Sequence, residues 1–101
     1  MKKKKKFSTE VDGKELTCYI DLDEPDTAIC MMETDSGEIL EGHFKVIDMG
    51  DSIKTVPLSR IHAKNPEDIT KMLYHVARNL PFFQKMAQYS KEYEKKENEN
   101  R

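Results

Sequence analysis

Residues 7–22, FSTEVDGKELTCYIDL, decide the fold class. Ahead of Asp12-Gly13, Phe7, Thr9 and Val11 alternate with Ser8 and Glu10. Beyond it, Leu16, Cys18, Ile20 and Leu22 alternate with Thr17, Tyr19 and Asp21. Successive side chains of a strand point to opposite faces, so this period of two describes a ribbon with one apolar face. Asp-Gly accepts the positive φ of a tight hairpin turn. The stretch therefore predicts two antiparallel strands joined at Asp12-Gly13.

The pattern continues downstream. Asp23-Glu24-Pro25-Asp26 has the composition of a loop, and Thr27 to Thr34 that of a third strand. Asp35-Ser36-Gly37 turns the chain into Glu38 to Asp48, where Leu40, Phe44 and Val46 share a face with Gly42, the mark of a bulge or of close packing. Met49-Gly50-Asp51 is a further turn, and Ser52 to Leu58 a short fifth strand with Pro57 near its end. The period then changes. Asn65 suits an N-cap, Pro66 the first helical position, and Glu67 and Asp68 the positive end of the helix dipole. Ile69, Met72, Leu73, Val76 and Leu80 follow helical spacing. Pro81 disfavours helical geometry at Leu80, so a first helix is expected over about residues 66–79 and a second over about 82–95. The expected class is α+β: an antiparallel sheet of four or five strands, about residues 5–58, covered on one face by two C-terminal helices. Residues 1–6 read as a disordered basic tail, 7–95 as a single domain and 96–101 as a second disordered tail.

Residues 37–48, GEILEGHFKVID, followed by 56–61, VPLSRI, are similar to the meander of small SH3-like barrels. This resemblance spans about a quarter of the chain and implies an alternative fold, an SH3-like small barrel with a C-terminal helical extension. It implies nothing about function, because such a fold hosts many functions.

Composition narrows the function classes. Apolar residues make up 37% of the 101 positions and charged residues 36%. No stretch approaches the roughly 20 apolar residues of a membrane span. The lysines at 2–6 lack the apolar segment that a secretory signal needs, so a soluble, cytoplasmic protein without membrane partners is expected. Cys18 and Cys30 should there be reduced thiols, and their sequence positions leave open whether they meet. His43, His62 and His75 lack zinc-ligand spacing and there is no CxxC, so no metal is expected. With neither GxSxG nor HExxH, and with four unclustered glycines, neither catalysis nor a cofactor is expected.

What remains is binding. The net charge of −2 hides an asymmetry: residues 7–60 hold 13 acidic and 4 basic side chains, whereas the lysine run adds +5. Asp21, Asp23, Glu24 and Asp26 cluster at one loop, and Glu38 and Glu41 near the next. Such a surface could occupy a basic groove on a partner, although acidic faces also serve simply as solvated exteriors. Phe82, Phe83, Met86, Tyr89 and Tyr93 cover more than one side of a helix and suit a homodimer or a partner groove. A small non-enzymatic interaction protein, a regulator or inhibitor, is therefore expected. Its Lys, Glu and Asn usage would fit an AT-rich bacterial or phage genome. Two alternatives stand beside it. One is nucleic-acid binding through Lys2–Lys6 and Lys64, Lys71, Arg78 and Lys85. The other is a small anionic ligand held at a dimer-interface pocket by His75 or Arg78.

Overall fold

A computed structural model describes the backbone of residues 4–99 and the side chains of residues 4–90. Five strands, β1 (Lys4–Val11), β2 (Lys14–Asp21), β3 (Thr27–Glu33), β4 (Ile39–Asp48) and β5 (Ile53–Pro57), precede one helix, α1 (Pro66–Glu99). The sheet is an antiparallel meander in the order β1-β2-β3-β4-β5. β1 and β5 remain its two edges, so the sheet is open. The SH3-like barrel alternative is thereby corrected, because a barrel requires the edges to close.

Local chemistry accounts for the turns. Asp12 and Gly13 both take positive φ, 50° and 77°, as the two-residue hairpin between β1 and β2 requires. At the β2–β3 loop, the Asp23 N–H donates to Asp21 Oδ1 at 2.9 Å, and the Thr27 N–H to the Glu24 carbonyl at 3.0 Å. At the β3–β4 turn, the buried Thr34 hydroxyl accepts from the Glu38 N–H at 3.1 Å.

Register places three rows on the inner face of the sheet. Phe7, Cys18, Cys30 and Gly42 form the central row. Leu16, Met32 and Leu40 lie to one side of it, and Ile20, Ala28 and Phe44 to the other. Beyond Phe7, the central row carries small side chains between larger neighbours. A Cβ on Gly42 would lie 2.6 Å from Phe44 Cε2 and 3.2 Å from Ile61 Cδ1, so close packing, and not a bulge, explains that glycine. Met72, Val76, Leu80, Phe83 and Ala87 of α1 complete the core above these rows.

The expected pair of helices is corrected to one. Asn65 caps the start, with its Oδ1 accepting from the Glu67 N–H at 3.1 Å, and the helix then runs through Pro81. Proline inside a helix removes one backbone hydrogen bond and costs roughly 3 kcal/mol. Past Pro81, Phe83 stacks on Phe7 with ring centroids 5.6 Å apart, Ala87 is fully buried, and the Lys5 Nζ donates to Ser90 Oγ at 2.7 Å. Burying one large apolar side chain contributes about 1.5–3 kcal/mol, so burying Phe83 and Ala87 offsets the break. Replacing Pro81 with Ala should accordingly raise stability by about 2 kcal/mol, the recovered hydrogen bond less the extra freedom of the unfolded chain. Urea denaturation measures it. A helical hairpin that relied on Pro81 for its turn would lose stability instead.

The ends of the chain also depart from expectation. Lys4, Lys5 and Lys6 are not part of a tail; they pair with Asp21, Ile20 and Tyr19 as the first residues of β1. Residues 96–99 continue α1, while residues 1–3 and 100–101 lie outside the described residues. No helix among the described residues is long and apolar enough to cross a membrane.

Candidate functional site

An uninterrupted α1 carries two apolar stripes. The inner one is Met72, Val76, Leu80, Phe83 and Ala87, spaced 4, 4, 3 and 4 residues apart. The outer one is Tyr74, Arg78, Phe82, Met86 and Tyr89, spaced 4, 4, 4 and 3. At roughly 100° per residue the two stripes lie about 140° apart around the axis. Tyr74, Phe82, Met86 and Tyr89 are 56%, 64%, 40% and 70% exposed, which is unusual for four large side chains aligned on one face. The upper part is held in a fixed shape: the Arg78 Nη1 donates to the Tyr74 hydroxyl at 2.7 Å, and its guanidinium lies 5.3 Å from the centroid of that ring. Stacking of this kind suits the planar guanidinium better than an ammonium.

Of the aromatic residues expected on this face, Phe82, Met86 and Tyr89 point outward together. Phe83 turns inward to the core at 5% exposure, and the Tyr93 side chain lies outside the described residues. Tyr74 and Arg78 join the face because the helix does not stop at Asn79. The signal for them was their four-residue spacing to Phe82, which only an unbroken helix makes meaningful.

The acidic residues do not form one surface. Asp21, Asp23, Glu24 and Asp26 sit at the β2–β3 loop, and Glu38 and Glu41 near the β3–β4 turn at the opposite end of the meander. Several are committed locally. Asp26 lies 3.8 Å from Lys45, Glu38 Oε1 accepts from the Lys64 N–H at 3.2 Å, and Glu41 lies 3.9 Å from His43. Asp23 and Glu24 are exposed.

The outer face of the sheet carries the row Lys6, Tyr19, Ile29 and His43, and beside it Ser8, Thr17, Met31 and Glu41. It is mixed in charge, with Lys4, Lys6 and Lys45 toward one end and Glu10, Glu15 and Glu33 toward the other. Lys5 points the other way, toward α1, where it binds Ser90. The lysine run is therefore divided between the two faces of β1.

His75 lines a cleft of about 390 Å³ between α1 and the β1–β2 and β3–β4 turns, with Val11, Met32 and Tyr74 among its walls. Its Nε2 lies 3.3 Å from Asp12, while Lys14 and Lys71 each lie 3.9 Å from Asp35. The lysines are thus turned toward a carboxylate, and Arg78 is turned toward Tyr74. The Thr34 hydroxyl in the cleft is paired with Ser36 at 2.9 Å. Among the described residues, no three of His, Cys, Asp and Glu converge as metal ligands. No protein-family model, curated protein or solved structure matches the chain.

Proposed function

We propose that this chain is a non-enzymatic interaction protein that docks an acidic protein partner on the outward face of α1. One observation carries this reading: four large apolar side chains, Tyr74, Phe82, Met86 and Tyr89, lie exposed on a helix whose opposite side already makes the core. Aromatic residues, Met and Arg are the types enriched where proteins meet. Arg78 and Lys85 lie seven residues apart along the same side of α1. Two copies stacked on this face would bring those cations together, so the charge favours an acidic partner over self-association. The acidic loops at the ends of the sheet would then repel nucleic acid from those parts of the molecule.

The double variant Phe82→Glu, Tyr89→Glu tests this. Both positions are largely exposed, so folding should change by no more than about 0.5 kcal/mol. A partner captured from the native host by the wild type and identified by mass spectrometry should bind the purified double variant about 100-fold more weakly or worse, because a central aromatic anchor contributes roughly 2 kcal/mol or more. Its association should slow as salt rises. A variant with Asp23→Asn and Glu24→Gln should bind as the wild type does. Equal binding by the double variant, capture abolished by nuclease, or a wild type that sediments as a dimer through this face would each overturn the reading.

A further inference from the structure

We propose that Cys18 and Cys30 are an oxidation site, closing to a disulfide across β2 and β3 when the protein meets hydrogen peroxide. The two residues are direct register partners, with sulfur atoms 2.8 Å apart, and both are free and fully buried. Directly opposed residues of antiparallel strands stand about 4.5–5.5 Å apart at Cα, within the ~4.4–6.8 Å that a disulfide spans. A bond between the sulfurs therefore needs only a small inward movement. The chain has 2 cysteines in all, so neither has another intramolecular partner.

The arrangement assigns the roles. The Cys30 thiol donates its proton to Cys18 Sγ, and this bond together with burial pushes the Cys30 thiol far up from its ordinary value. Cys18, the acceptor of that hydrogen bond, is the attacking sulfur. The Cys18 sulfur attacks one oxygen of the peroxide as its proton leaves, and the O–O bond breaks. The departing hydroxide combines with the proton that Cys18 gave up, forming water and leaving Cys18 as a sulfenic acid. The Cys30 sulfur then attacks the Cys18 sulfur. The S–S bond forms as the S–O bond breaks, and the second hydroxide leaves as water with the Cys30 proton. Two thiols have lost two electrons, and one peroxide has become two waters. A bulky disulfide oxidant would have to build a mixed disulfide inside the closed row of Phe7, Cys18, Cys30 and Gly42. A molecule the size of peroxide avoids that obstacle.

The test treats the full chain with hydrogen peroxide and follows it by intact mass, thiol alkylation after denaturation, and thermal melting. The expected product has lost two hydrogens and both thiols. Cleavage at Asp21, Asp23 and Asp26, which lie between the cysteines, should leave peptides still joined through Cys18 and Cys30. Closing this short loop should raise the melting temperature by roughly 10 °C. In Cys30→Ser, dimedone should trap a sulfenic acid on Cys18. If that variant fails to fold, the peptide linkage in the wild type still decides. The proposal is overturned if both thiols survive peroxide that oxidises the same chain in urea. It is equally overturned if the products are disulfide-linked dimers or sulfinic acids without the Cys18–Cys30 bond.

Discussion

Phe83→Glu is expected to remove most of the stability of the fold, about 4 kcal/mol or more, while Phe82→Glu at the neighbouring position changes it by about 0.5 kcal/mol or less. Phe83 is buried against Phe7, whereas Phe82 is 64% exposed. Truncating a buried Phe alone costs roughly 3–5 kcal/mol, and a carboxylate in its place must also be neutralised or dragged into water. Domains of this size are stable by only about 5–15 kcal/mol in total, so Phe83→Glu should be largely unfolded in mild urea. Far-UV circular dichroism through a urea titration measures both variants. Similar losses at the two positions would mean that α1 does not turn Phe83 to the core and Phe82 outward.

Gly42→Val should be the second severe change, costing about 3 kcal/mol. Glycine within a strand is ordinarily a weak point, and replacing it with a larger residue on an open surface would gain up to about 1 kcal/mol. Here the sign reverses. The new Cβ would meet Phe44 Cε2 at 2.6 Å and Phe44 Cζ at 2.9 Å, and Phe44 is itself fully enclosed. The ring has nowhere to move without disturbing Ile61 or the row of Ile20 and Ala28. Combining Gly42→Val with Phe44→Leu should therefore cost less than the sum of the two single changes, a coupling that a double-mutant cycle in urea would read. Simple additivity would place the clash elsewhere.

The strands were legible because their signals are local. Alternation in Phe7–Leu22, the Asp12-Gly13 pair and the turns at Gly37 and Gly50 each specify one segment without reference to the rest. The helix break was misread for the converse reason. The effect of Pro81 is written at its own position, whereas the counterweight is a contact between Phe83 and Phe7 at the far edge of the sheet. The same holds at the start of the chain. A lysine run has the composition of a tail, yet Lys4–Lys6 gain backbone partners in β2, and Lys5 finds Ser90 on a helix that comes last in sequence. Both ends of the domain were placed by contacts with each other.

The candidate surface was legible in part. Phe82, Met86 and Tyr89 stood out by type and spacing, but the break expected at Asn79 cut them off from Tyr74 and Arg78. The meeting of Cys18 with Cys30 needed the register of β2 against β3, and the length of the intervening acidic loop does not specify it. Acidic clustering was visible as composition, yet successive hairpin loops fall at opposite ends of a meander, and that separates Asp21–Asp26 from Glu38 and Glu41.

Continuity of α1 through Pro81 underlies the core, the outward face and the partner assigned to it. Amide hydrogen exchange by NMR, with sequential amide contacts traced from Leu73 to Ala87, tests it most directly. Unbroken helical contacts up to Leu80 and again from Phe82, with slow exchange at Val76, Leu80, Phe83 and Ala87 on both sides of the proline, are the predicted result. Fast exchange from Asn79 to Phe83 with non-helical contacts there would mean two separate helices and would contradict the account.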